Sequence, residues 1–260
     1  MAGFEFERVE VNRGPFDDEE IKKNLSKWDI EPHSTLAKFS FSGERYDGTN
    51  SEELLKALFS SEAFQSIQVT TNRDIRSCPT GTVGSIKFTE LSCQALTLDM
   101  FERLNGPIIR PDGSIAKCIP DTFEGIPIHN LLQTLLVHED DPDGNYFLYS
   151  DFERSEFLFQ LLSTLVVGGG MCQFDDEWEP YEETLKALFK YFVAVFRNSQ
   201  TKAIESQVKA FNVESIDGIR LFPDERLNRV SRVRFNQCFV CVNAFTHTVT
   251  VWVVPFIPVF

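Results

Sequence analysis

Apolar positions along this chain follow two periods. Between Phe157 and Val167 they run almost without interruption (Phe157, Leu158, Phe159, Leu161, Leu162, Leu165, Val166 and Val167), which predicts a helix apolar nearly all round and therefore buried. Asp151 stands where an N-cap belongs, and Glu153 and Glu156 lie where a helix N-terminus favours negative charge. Gly168-Gly169-Gly170 then stops the helix, because glycine reaches the left-handed conformation of helix C-termini. A second helix is predicted through Tyr181, Leu185, Leu188, Phe189, Phe192, Val193 and Phe196, whose spacing marks one face. Pro180 opens it, Glu182 and Lys186 stand four apart on the other face, and Arg197 meets the negative end of its dipole.

After Lys202 the period falls to two. Ile204 to Val213, Phe235 to Val242 and Thr248 to Val254 predict three strands, with Asn243 to His247 a hairpin connection. Ahead of the helix pair, a strand is predicted through Phe4, Phe6, Val9 and Val11, and a helix from Asp17 or Asp18 through Ile21, Leu25 and Trp28. Phe39 and Phe41 mark another strand, Asn50 or Ser51 opens another helix, and Ile86 and Phe88 fit a strand. Leu98 to Leu104 reads as a short helix, Pro111-Asp112-Gly113 as a turn into a strand through Ile115 and Cys118, and Ile126 to Val137 as helix. The expected architecture is one α+β domain over residues 1–260, a C-terminal antiparallel sheet packed on a central buried helix pair. A peripheral N-terminal portion over residues 1–45 stays open.

Composition narrows the function classes. With 260 residues, 42% hydrophobic and 25 Phe, the chain can build a sizeable core. A formal charge of −14 argues against nucleic acid or anionic membrane as a partner, since both are polyanions. Charge is uneven: residues 201–260 carry about +2 and the first 200 about −16. Arg226, Arg229, Arg232 and Arg234 form a basic cluster, read first as a solvated loop or strand edge and second as a contact for an acidic partner. The acidic lead-in Asp175, Asp176, Glu177 and Glu179 is the other candidate partner contact. Six scattered cysteines and a start without a secretory signal suggest reduced thiols and the cytosol. The apolar tail from Val249 is too short to span a bilayer and contains Pro255 and Pro258.

Motifs with a chemical meaning are few. Glu139-Asp140-Asp141-Pro142-Asp143-Gly144 fits the start of a calcium loop, but Ser150 stands where the bidentate glutamate belongs, so an acidic turn is the better reading. Cys238-x-x-Cys241 is half a zinc signature; residues three apart on a strand face opposite ways, which favours two buried thiols. The glycine triplet follows an apolar helix rather than a strand, which suits a terminator better than a phosphate cradle. His33, His129, His138 and His247 lie in no recognisable motif. No catalytic residue, metal site or cofactor is expected. The alternative is a small-ligand or enzymatic site built from dispersed residues such as His129, His138 and Cys172.

Several spaced blocks form a pattern in one order. They are Leu96 to Leu104, Gly113-x-Ile115-x-Lys117-Cys118, Arg154-x-Glu156-Phe157-Leu158-Phe159, Gly168-Gly169 with Cys172-Gln173, Pro180-Tyr181-x-Glu183-Thr184-x-Lys186, and Asn198-x-Gln200-Thr201-Lys202. This pattern, over roughly Leu91 to Pro223, resembles the cilia- and flagella-associated protein 300 family. The resemblance implies a non-enzymatic factor of cytoplasm and cilium that helps assemble or deliver outer and inner axonemal dynein arms. Its implied partners are dynein arm subunits, cytoplasmic dynein-arm assembly factors and the intraflagellar transport machinery. A permanent axonemal component is a third reading.

Overall fold

The computed structural model describes residues 3–70, 75–77, 81–123, 126–138, 145–200, 202–217 and 235–257, with backbone alone at 70 and 75–77. The first half runs β1 (Phe4–Val9), α1 (Glu19–Lys27), β2 (Thr35–Gly43), α2 (Ser51–Ser60), α3 (Glu62–Gln65), β3 (Gln68–Thr70), β4 (Ile75–Ser77) and β5 (Ile86–Leu91). A 3-10 turn at Leu98–Leu104 leads to β6 (Lys117–Phe123), β7 (Ile126–Asn130), α4 (Leu131–Val137), α5 (Asp151–Arg154), α6 (Phe157–Val167) and α7 (Glu179–Phe192). The chain closes with β8 (Val195–Arg197), β9 (Ile204–Ser206), β10 (Val208–Ile216), β11 (Gln237–Asn243) and β12 (Thr248–Val254). The fold class is α+β, as expected. Contacts divide it into two units interleaved in sequence: residues 1–13, 33–91 and 192–257, and residues 14–32, 92–191 and 258–260.

The first unit is built on an antiparallel sheet in the order β1-β2-β12-β11-β10-β5. Alternation along each strand sets its two faces. One face carries Ala37, Phe39, Phe41, Val249, Val251, Val253, Cys238, Val240, Val242 and Phe211, which pack with Leu54, Leu55, Leu58 and Phe59 of α2 and Phe64 of α3. The other face buries Ala210, Phe239, Cys241, Trp252 and Val254, and Phe192 stacks on Trp252 at 5.6 Å between centroids. Residues 1–45 supply β1 at a sheet edge, β2 inside the sheet and a fully buried Trp28. The predicted strand from Thr248 is β12, with Asn243 Oδ1 accepting from the N–H of Phe245 and Thr246 in the hairpin before it. The predicted strand over Ile204 to Val213 is two strands, because the Ser206 hydroxyl bonds both N–H and C=O of Val208 and breaks the run at Gln207.

The second unit holds the predicted helix pair. Phe157 of α6 meets Phe189 of α7 at 6.3 Å, and Leu158, Leu161, Leu162, Leu165, Tyr181, Leu185 and Leu188 are fully buried. Three boundaries differ from the periodic reading. Ser150, not Asp151, is the N-cap, and it caps a separate turn, α5; α6 starts afresh at Phe157. Ile126–Asn130 is strand, because Asn130 takes an extended backbone and accepts from Gln133 N–H at 2.9 Å, starting α4 only at Leu131. The last helix ends at Phe192: Val195, Phe196 and Arg197 pair with β9, so Phe196 leaves the helical face and Arg197 does not cap its dipole. Val193, Val195 and Phe196 are β-branched or aromatic and favour the extended state that pairing rewards.

Candidate functional site

The acidic lead-in sits where the loop after α6 folds back on the end of α1, within the second unit. Asp18 opens α1, accepting from Glu20 and Ile21 N–H, and Trp28 closes it. Asp29 then takes φ +58, a left-handed conformation, and the chain turns away. Gly168, at φ +61, ends α6 beside this turn. Gly169 N–H donates to Trp28 O at 2.8 Å, Gln173 N–H to Lys27 O at 2.9 Å, and Met171 N–H to Asp29 Oδ2 at 2.9 Å. A Cβ on Gly169 would lie 2.3 Å from Asp29 O, which is why glycine is needed there. The triplet is a terminator with a second task, close backbone docking.

Beyond it, Asp175 is consumed internally. Its carboxylate accepts from Lys27 Nζ and, at 2.8 Å, from Trp28 Nε1, while its N–H donates to Tyr181 Oη at 3.0 Å. Trp28 and Tyr181 stack at 4.6 Å and 14°. Burial, first of all, pushes the Tyr181 hydroxyl well above the usual tyrosine range. Asp176 accepts from Lys117 Nζ at 3.0 Å on an exposed surface, where such a pair contributes little. Glu177 bridges to Ser114 through its backbone, and Glu179 opens α7; both side chains are exposed. Of the four predicted acids, Asp175 anchors the fold and the other three face solvent. Arg226, Arg229, Arg232 and Arg234 lie outside the described residues, as does Glu139 to Gly144.

Arg154 and Glu156 are likewise structural, through partners that the sequence reading did not name. Arg154 donates to Leu135 O at 3.3 Å and to Tyr146 O, and its guanidinium stacks 3.6 Å above the Tyr146 ring. Glu156 is 3% exposed and accepts from Ser92 Oγ at 2.6 Å, Gln94 N–H at 3.0 Å and Ala95 N–H at 3.1 Å. It stands at the N-cap of α6, as its negative charge predicts, but its side chain caps no helix N–H and holds a loop in place. The available signal was a carboxylate at the head of an otherwise apolar helix.

The dispersed-site residues have other engagements. His129 stacks on Phe174 at 4.7 Å and His138 meets Phe123 edge-on at 4.6 Å. The residue Cys172 keeps some exposure, but burial of its sulfur, then the Asp29 and Asp175 carboxylates, push the thiol up to about 12 against the opposing pull of Lys27. A thiol so held is protonated at neutral pH and a poor nucleophile. Cys238 and Cys241 are buried in β11, and only Cys238 joins the core beneath α2. Among the described residues no three His, Cys, Asp or Glu converge as a metal site, and no helix is long and apolar enough to cross a membrane.

Comparison with known proteins adds the family. The family model described as Cilia- and flagella-associated protein 300 matches residues 3–254. A protein of that name from Chlamydomonas reinhardtii is 29% identical over 246 residues, covering 92% of each chain. One from Paramecium tetraurelia is 28% identical over 203 residues, covering 77% of each. No solved structure matches.

Proposed function

The chain belongs to the cilia- and flagella-associated protein 300 family, and from that premise we propose that it is a non-enzymatic adaptor for building axonemal dynein arms. On this reading it works in the cytoplasm and the cilium or flagellum. There it binds dynein arm subunits, cytoplasmic dynein-arm assembly factors or the intraflagellar transport machinery, and helps outer and inner arms to be assembled or delivered. The observation that carries the reading is the match over nearly the whole chain. A second observation supports it. Arg154 and Glu156 from the motif blocks, like Asp175 between two of the blocks, are spent on internal hydrogen bonds, and Cys172 is held as a protonated thiol. Those blocks then specify a shape, which suits a protein whose work is to be bound.

The test is quantitative mass spectrometry of dynein heavy chains in cytoplasm and isolated axonemes from ciliated cells lacking this protein. Loss of both arm types from axonemes is the expected result. Retention of heavy chains in the cytoplasm would indicate delivery, and their depletion there would indicate assembly. Normal axonemal dynein would overturn the proposal. A permanent axonemal component would instead stay in detergent-extracted axonemes at a fixed ratio to tubulin.

A further inference from the structure

The β8–β9 ribbon is a poorly self-sufficient element of the first unit. It is two strands of three residues, which are unstable alone in water, and it exposes apolar side chains that such a ribbon cannot cover. Val195 is 51% exposed, Ile204 58% and Phe196 37%. Register places Val195, Arg197, Ile204 and Ser206 on one face, with Val195 and Ile204 diagonal neighbours, and Phe196 with Glu205 on the other. Asn198 N–H donates to Ala203 O at 2.8 Å, and Gln207 N–H to Ala194 O at 2.9 Å. Antiparallel ladders alternate, so these bonds make 194–207, 196–205 and 198–203 the hydrogen-bonded pairs. The N–H and C=O groups of Val195 and Arg197 therefore point away from β9, along the outer edge of β8. Among the described residues the ribbon has no third strand.

From this we infer that the outer edge of β8 is a docking strand for an extended acidic segment of a partner protein, which adds as a third strand. Strand addition supplies main-chain hydrogen bonds, and alternate side chains set specificity. The exposed apolar pair Val195 and Ile204 asks for apolar residues at alternate positions of the incoming strand. Charge selects its flanks: Arg197 and Lys202 are exposed on the ribbon of a chain whose net charge is −14, so an acidic segment repelled by most of the protein is accepted here. Gln200 and Lys202, two residues of the last motif block, are exposed in the connection between β8 and β9. This surface deepens the adaptor reading, but its test uses purified protein and stands or falls without reference to axonemal dynein.

The experiment titrates the full chain with a synthetic peptide, acetyl-Glu-Val-Glu-Ile-Glu-Val-Glu-amide, following amide resonances of residues 194–207. The variant V195P removes one outward N–H without touching the ladder to β9, and R197E reverses the selecting charge. Expected are peptide-dependent protection of the Val195 and Arg197 amides, and affinity about tenfold weaker for V195P and for a peptide N-methylated at alternate residues, as loss of one or two hydrogen bonds implies, and about tenfold weaker for R197E through repulsion of the acidic flanks. Unchanged affinity for the N-methylated peptide, shifts confined to other elements, or no binding would each overturn the inference. A wild-type dimer in sedimentation equilibrium that V195P dissociates would overturn it too, by making a second copy the occupant. Circular dichroism confirms folding of both variants, and R197E stands as the arm of record should V195P fail to fold.

Discussion

Glu156 shows how much one side chain holds. Replacing it with Ala leaves Ser92 Oγ and the Gln94 and Ala95 N–H groups without their acceptor in a buried place, which should cost about 3 kcal/mol. Gln keeps one acceptor oxygen but turns an amide donor toward donors, so about 2 kcal/mol is expected. Urea unfolding would measure both; a change near zero would mean that the loop re-forms its bonds with water. Gly169→Ala tests the neighbouring joint: its Cβ would meet the Asp29 backbone carbonyl first and the Asp29 carboxylate next, and about 2 kcal/mol or more should be lost. Cys172 gives a chemical readout. Its raised pKa means that it contributes stability below the ordinary thiol range and loses it as pH rises through about 12. At pH 8 iodoacetamide should label Cys172 about a hundredfold more slowly in the native chain than in urea, since little thiolate is present. Equal rates would show the sulfur to be open. The sequence marked Gly168 and Gly169 as a terminator but could not reveal Asp29 or Trp28 as their partners, because contacts between distant segments leave no local pattern.

At the scale of elements, the errors of periodic reading share a cause. Periodicity reports which face is apolar and says little about where hydrogen bonding stops. The run from Asp151 to Val167 looks like one helix, yet Ser150 and Glu153 form a capping box, and Ser92 bridges at Glu156 between α5 and α6. Asn130 divides β7 from α4, and Val195 to Arg197 trades helix for ribbon. Strand β12, by contrast, was legible to the residue, since a run of β-branched and aromatic side chains favours the extended state throughout it. The capping box carries its own pH dependence. The Ser150 backbone N–H first, then Arg103 and the Ser150 hydroxyl, hold the Glu153 carboxyl below the ordinary glutamate range. A lowered folded pKa gives stability that is present above the unfolded value and lost as pH falls through the folded one. The melting temperature of Glu153→Gln should therefore lie below wild type at pH 7, and the two should converge at a pH below the ordinary glutamate range. A gap of constant size down to that pH would show that the carboxylate charge plays no part.

At the scale of the molecule, topology was the least legible level. The alternation of β2, β10, β11 and β12 announced a sheet, but nothing local says that Thr248 pairs with Ser40, or that β5 closes the far edge. Chain order predicts neighbours only where short turns join them, as at β11 and β12. The pairing yields a graded expectation for hydrogen exchange. Amides of β11 and β12 are bonded on both sides beneath buried side chains, so they should open only with the unit itself. Those of β8 and β9 belong to a two-stranded, largely exposed ribbon and should exchange at least about a thousandfold faster. Within β8 the gradient should be sharper still: Phe196 N–H faces β9, whereas Val195 and Arg197 face outward and should exchange near the rate of an unstructured peptide. Protection of those two amides in the isolated chain would mean that the edge is already covered, leaving no strand for a partner to join. Fast exchange there, together with slow exchange in β11 and β12, would describe a rigid sheet and a separate ribbon with an open edge, the arrangement that an adaptor built by strand addition requires.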